Sequence, residues 1–380
     1  MMKRYLIIGS VVVAAAILLV AGYLIRQKQP NQEGSGNGEE LILPNEEEVN
    51  GGGGLGELTK NTKLISQDLV LNYFIQKDGT IIVVHPDGQI SKILKDEEQT
   101  LSSVVVQDLA LAKFSWDGKK VLVKFGKGWE KIQWSVFDTE KKTWRPLDVG
   151  IKAADWSPLD NRIAYFSEKN GGSLGTLDLA SARSTPREIL KIQLQDIDLN
   201  WVKTDELLLI EPSSAELESS IWKFNLTSRN LTLWMRNKKG LELIFDDKGN
   251  KFLKLEEGRL EVMDQKANWA KKLAWSTLPS KCFFSAETGS ETSTKKVAIE
   301  FLNCAIHRDQ TAFSQFRLPD DYLKKNFFSN DAFYKIKLSD GEIKKIFDGE
   351  GLDMINPQKT ESEIFFINRY DNKLYSFGLK

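Results

Sequence analysis

Two histidines and two cysteines are the whole stock of soft metal ligands and neutral-pH bases in the 380-residue chain. His85 precedes Pro86-Asp87-Gly88 and reads as an exposed turn residue. Neither it nor His307 has a second His or Cys at a spacing that would hold zinc, so no metal site is expected. Asp117, Asp160 and Asp246 are too scattered for calcium, which takes ligands from alternate residues of one dense loop. Gly171-Gly172-Ser173-Leu174-Gly175 matches the G-x-S-x-G of a hydrolase nucleophile elbow, but that elbow joins a strand to a helix. Here it sits between IAYFSEKN and LGTLDL, both of strand character. No catalytic residue and no cofactor is therefore expected. Cys282 and Cys304 lie in two neighbouring strand-like runs, KCFF and AIEFLNCAI. Facing residues of adjacent antiparallel strands are about 4.5 to 5.5 Å apart at Cα, within disulfide reach. Outside the cytoplasm a bridge is expected, contributing roughly 2 to 4 kcal/mol; in a reducing compartment the pair would be two buried thiols. Asn225-Leu226-Thr227 and Asn230-Leu231-Thr232 match the glycosylation triplet, which arises easily by chance.

The elements that would position such residues come from an internal repeat of about 40 to 45 residues, a period that points to stacked or radial architectures. A strand ending in an aromatic, then a polar turn, then an apolar strand recurs as Phe114-Ser115-Trp116-Asp117-Gly118 before VLVKF and Trp156-Ser157-Pro158-Leu159-Asp160 before IAYF. It returns as Trp201 to Asp205 before LLLI and Phe245 to Gly249 before KFLKL. Offset from it are hairpins of alternating apolar and polar residues, IIVVHPDGQISKIL, WSVFDTEKKTWRPL, WKFNLTSRNLTLW and YKIKLSDGEIKKIF. Asp87-Gly88 and Asp340-Gly341 supply the positive φ that tight hairpins need. About four short strands per period describe a propeller blade. The fold class is all-β, a seven-bladed β-propeller of four-stranded antiparallel blades. Blade one, compressed, covers residues 62–94, and the others begin near Ala110, Ile151, Asp196, Gly240, Lys272 and Gly351. The last blade reads one strand short at LYSFGLK, and an open edge invites aggregation. The segment TKLIS at residues 62–66 is expected to supply the missing strand.

The FSWDG and WSPLD units resemble the WD40-like repeat of TolB-type propellers. Family repeats usually read F-S-P-D-G; Trp116 takes the place of Pro in one copy, and Leu159-Asp160 that of Asp-Gly in another. The resemblance implies the fold and carries no chemistry.

Ahead of the repeats, Tyr5 to Ile25 run for about 20 residues without a charge, long enough to span a bilayer. Residues 1–26 are expected to form a cytoplasmic tip and one transmembrane helix. A cleaved signal peptide, with a shorter apolar core of about 7 to 15 residues, is the alternative. Residues 27–61, rich in Gly and Glu, read as a disordered acidic spacer, and residues 62–380 as the propeller. The chain is then a single-pass membrane protein whose lipid partner is held by the N-terminal helix, with an extracytoplasmic propeller. Charge is balanced, 52 Lys and Arg against 53 Asp and Glu, so nucleic acid is not an expected partner.

Three loops between second and third strands are long: FGKGWEK at 125–131, IEPSSAELESS at 210–220 and residues 305–331. In an up-down blade all of them emerge on one face. Trp129, Arg308, Phe313, Phe316, Arg317, Asp320, Asp321 and Tyr322 are the candidate partner-binding residues, because interfaces concentrate aromatics and arginine. Those aromatics could equally pin the loop to its own blade. The function expected is a non-catalytic module holding a protein or glycan on that face. The rivals are a lyase or glycan hydrolase with carboxylates at the channel mouth, and an accessory subunit of an envelope assembly.

Overall fold

The computed structural model describes residues 62–379 apart from 96, 182, 267 and 289–297. The expected membrane helix and spacer, residues 1–61, lie outside the described residues. Among the described residues no helix is long and apolar enough to cross a membrane.

The described strands form seven four-stranded antiparallel sheets. β1 is Lys63–Leu64. Blade one holds β2 (Asn72–Ile75), β3 (Ile81–Val84), β4 (Ile90–Leu94) and β5 (Glu97–Ser102). Blade two holds β6 (Leu109–Phe114), β7 (Lys120–Phe125), β8 (Gln133–Asp138) and β9 (Thr143–Pro146). Blade three holds β10 (Ile151–Trp156), β11 (Arg162–Ser167), β12 (Ser173–Asp178) and β13 (Arg187–Lys191). Blade four holds β14 (Asp198–Lys203), β15 (Glu206–Ile210), β16 (Glu218–Asn225) and β17 (Asn230–Lys239). Blade five holds β18 (Glu242–Phe245), β19 (Lys251–Glu256), β20 (Arg259–Asp264) and β21 (Trp269–Lys272). Blade six holds β22 (Cys282–Thr288), β23 (Ala298–His307), β24 (Asp331–Lys337) and β25 (Ile343–Phe347). Blade seven holds β26 (Met354–Lys359), β27 (Glu363–Asn368) and β28 (Lys373–Gly378), and its fourth strand is β1.

The repeated turn shows why the motif recurs. Ser115 Oγ donates to Asp117 Oδ1 at 2.7 Å, and the Lys119 and Lys120 amides donate to Asp117 and Ser115. Gly118, at φ 69°, lets Phe74 of blade one approach so closely that an added Cβ would stand 2.3 Å from its ring. In blade five Asp246 Oδ1 takes the amides of Asn250 and Lys251 in the same way.

Each apolar sheet face is buried by its neighbour, because the core divides into seven clusters and each one spans a seam. Leu122, Trp134 and Val136 of blade two meet Ala154, Trp156 and Ile163 of blade three, for example, and Tyr73 and Val83 of blade one meet Phe365 and Leu374 of blade seven. The inner strands are also stitched through side chains. Gln358 Nε2 donates to Tyr73 O and Asn72 Nδ2 to Ala112 O. Lys113 Nζ reaches Asp155 Oδ1 at 2.9 Å, Ala154 O and Leu199 O, while Asp155 Oδ2 accepts the Trp201 amide at 2.7 Å. This arc runs from blade seven through blade one to blade four.

The ring closes as expected: Lys63 pairs with Ser376 and Leu64 with Tyr375. Blade one is not compressed, however; its four strands run from Asn72 to Ser102, and the segment at 62–66 belongs to blade seven. The aliphatic Ile75 before Gln76-Lys77-Asp78-Gly79, in place of an aromatic, hides its first turn. Lys272 ends the outer strand of blade five, and blade six begins at Cys282. His85 is not an exposed turn residue but buried, 7% exposed. Its Nδ1 donates to Leu69 O at 2.8 Å, and Nε2 lies 3.1 Å from Glu98, whose other oxygen accepts from Ser66 Oγ. It thereby fastens the closing segment to blade one.

A strapped face and its buried anchor

Alternating strand direction sends all loops between second and third strands, and all links between blades, to one face. The first-to-second and third-to-fourth turns go to the other. On the first face residues 308–330, between β23 and β24, form a strap with two short helices, α1 (Gln310–Phe313) and α2 (Asp320–Leu323). Asp309 caps α1 by accepting the Ala312 amide at 2.9 Å.

The strap reaches well beyond its own blade. Over blade four, Ala215 N donates to Asp320 Oδ1 at 2.6 Å and Ser214 Oγ to Asp320 Oδ2, while Arg317 pairs with Glu216. Where blade four passes to blade five, only a glycine fits, since a Cβ on Gly240 would stand 2.7 Å from Leu318 O. Gln310 exchanges hydrogen bonds with the backbone of Ser276, accepting at 2.7 Å and donating at 3.2 Å. Arg308 donates to Gly349 O and pairs with Asp348. The two long loops at 210–220 and 305–331 are thus docked to each other.

Under the strap lies a buried ion cluster. Lys281 Nζ, fully enclosed, contacts Asp331 Oδ2 at 2.6 Å and Asp353 Oδ1 at 2.7 Å. Arg369 Nη1 reaches Asp353 Oδ2 at 3.0 Å and donates to Phe327 O, and its Nη2 donates to Tyr322 O. Tyr322 Oη donates to Asp353, as do the Ser329 amide and, through its hydroxyl to the other carboxylate, Ser329 Oγ to Asp331. Burial pushes both carboxyls up and prevails at Asp331. At Asp353 the Lys281 charge and the donated hydrogen bonds outweigh burial and hold the group below the usual carboxylate range. Burial also lowers His307, whose Nδ1 accepts the Asn330 amide. These charges are consumed by one another, which makes the cluster a fastener and leaves no vacant acid or base in it. The inner-strand Glu242 of blade five differs: burial alone pushes it up to about 7.

The candidate residues divide accordingly. Phe313 and Tyr322, 0% and 4% exposed, belong to the core of blade six, with Phe316 stacked on Phe327 at 3.7 Å. Arg308 is half-buried against Asp348, and Asp321 is buried, accepting the Arg317 amide at 2.8 Å. Arg317 remains exposed and Asp320 partly so. Trp129 opens a 3-10 turn (Trp129–Lys131) in the loop of blade two, away from the strap; its side chain is not among those described. Sequence reasoning missed Lys281, Asp353 and Arg369, because Lys281 meets its carboxylates 50 and 72 positions along the chain and no local pattern marks it. The expected bridge between Cys282 and Cys304 is present, with Cα atoms 4.2 Å apart in facing register.

No family model and no curated protein sequence matches the chain. Solved structures do. The tricorn protease is 9% identical with a TM-score of 0.51, over 84% of this chain and 34% of that one. U3-55K is 9% identical with a TM-score of 0.51, over 85% of this chain and 100% of that one. The Cps50 (Swd1) β-propeller domain of Myceliophteria thermophila is 8% identical with a TM-score of 0.49, over 84% and 100%. The likeness is one of fold. This chain spans about a third of the tricorn protease chain, and at such identities no activity transfers.

Proposed function

We propose that the chain is a membrane-anchored, extracytoplasmic propeller of the TolB type that holds a protein or glycan of the cell envelope on its strapped face and performs no reaction. The observation that carries this reading is where large apolar side chains are left in water. Of the twelve exposed ones among the described residues, Leu69, Val104, Val105, Val149, Leu217, Leu323, Phe328 and Tyr370 lie on the strapped face. Trp116, Leu159 and Leu94 lie on the opposite face and Leu233 on the outer edge of blade four. Apolar side chains concentrated on one face, rimmed by polar loops, are what an interaction surface needs.

Two further features support the reading. The disulfide suits an oxidising compartment. β1 runs from the opposite face toward the strapped one, so Thr62, where the described residues begin, lies on the side away from the proposed partner. The test is photocrosslinking in intact envelopes, with the reactive residue placed at Leu217, Leu323 or Tyr370 and, as a control, at Trp116 or Leu159. Adducts from the first set and none from the second are expected; equal labelling of both faces would remove the assignment.

A further inference from the structure

The strap rests on the head of blade five's inner strand, and that seat contains a carboxyl which fastening the strap does not use. The Gly240 amide donates to Ser214 O at 2.6 Å, and Leu318 O of the strap lies against Gly240. Ser214 and Ala215 in turn hold Asp320. Two residues beyond Gly240, Glu242 opens β18 opposite Leu255. Leu243 and Phe245 pack toward blade four and Ile244 toward blade six, so alternation puts Glu242 on the blade-six side. The cluster on that side joins Leu255, Trp275, Leu278 and the bridged Cys282 to Leu318 of the strap. Within this apolar seat the Glu242 carboxyl makes no hydrogen bond or ion pair to a described residue.

The charges of the neighbouring elements are turned elsewhere. On β19, Lys254 and Glu256 share the face of Phe252, toward blade four, and pair with each other and with Glu261 and Lys238. Lys251 is on the blade-six side but at the far end of the strand, held by Asp264 and Glu300. Lys281, just before Cys282, turns to Asp331 and Asp353, and Tyr334 stands on β24, two strands out from β22. In the strap, Asp320 is held over blade four and Arg317 pairs with Glu216.

We infer that Glu242 is a proton-operated release for the strap: uncharged, it lets residues 308–330 lie seated across blades four to six, and charged, it lifts them. An ionised carboxyl without a partner does not remain among apolar groups. β18 begins at the strapped face, so its way to water leads past the strap. The blades are joined by strand ladders and sealed cores, whereas this stretch of the strap is held by the hydrogen bonds of Asp320 and Gln310 and an exposed ion pair, the less costly set to open. Burial holds the carboxyl at about 7 in the fold, so the seated state prevails below that pH and opening grows above it. His307, at the base of the strap, is lowered from its usual value by burial and stays uncharged as pH rises through that range. The release concerns the strap itself and does not depend on what the face binds.

The experiment follows hydrogen exchange of the full chain in mild detergent at pH 5.5 and pH 8, with rates corrected for the intrinsic effect of pH. Amides of the wild-type strap should exchange at least about tenfold faster at pH 8, and those of the inner strands of blades one to three should not change. Two variants that cannot ionise, Glu242→Gln and Glu242→Leu, should keep the strap protected at both pH values. Equal corrected protection of the wild-type strap at the two pH values overturns the inference. So does the wild-type acceleration persisting in either folded variant, which would assign it to another group, and so does acceleration spread evenly over all blades.

Discussion

The seam between blades two and three and the seam between blades six and seven bury similar apolar faces, yet they are secured differently. On the first, Lys113 reaches across the seam to Asp155, about one repeat period away. On the second, Lys281 sits sealed between Asp331 and Asp353, and a strap of over twenty residues is laid on top. The stitched arc uses side chains that any blade could carry at that strand position, partly exposed and replaceable one at a time. The strapped arc uses an insertion laid over an ion cluster that is out of water, Lys281 with Asp331 and Asp353, where a missing partner leaves a bare charge. Periodic contacts give the ring its uniform stiffness; the inserted ones give one face its particular shape.

The difference predicts unequal damage. Lys281→Met should cost most, about 3 to 5 kcal/mol, because the enclosed Asp331 loses its cation and Asp353 is left with Arg369 alone. Hydrogen exchange should then quicken across residues 308–330 and not in the inner strands of blades one to three; uniform quickening would erase the distinction between the arcs. Replacing Cys282 and Cys304 together by Ala should lower stability by roughly 2 to 4 kcal/mol, measured by denaturant unfolding, and reduced wild type should match the variant. Glu242→Gln sharpens the contrast through pH. A carboxyl held at about 7 in the fold, against 4.5 in the open chain, favours folding fully below pH 4.5, and that contribution is lost as pH rises toward 7. The variant should therefore melt with the wild type at pH 4 and gain about 1 to 3 kcal/mol at pH 8. Equal melting at pH 8 would mean the carboxyl is well solvated. Lys113→Met should cost least, about 1 to 2 kcal/mol, since Asp155 keeps the Trp201 amide and reaches water.

The sequence announced what repetition controls. The turn at Ser115 to Gly118 is spelled by the residues that hydrogen-bond within it, so the blades could be counted, and the strand deficit at the last blade pointed to residues 62–66. Facing cysteines were legible because strand pairing fixes which residues meet. His85 was misread because its partners, Leu69 and Glu98, come from the closing segment and the outer strand, and a turn-like neighbourhood says nothing of them. The strap was legible as a long aromatic loop, but not the division of labour within it. Phe313 and Tyr322 turn inward while Phe328, nearby in the chain and similar in type, faces solvent, and only Arg369 from the next blade makes that choice visible.

The two-residue pairing of Lys63–Leu64 with Tyr375 and Ser376 also sets an order of events. These contacts have the greatest sequence separation of any strand pairing among the described residues, so bringing the partners together carries the largest loop-closure cost. A ribosome delivers the first partner long before the second. During that interval blade seven's outer position has no partner, and the loop that this pairing closes is the longest of any strand pairing among the described residues.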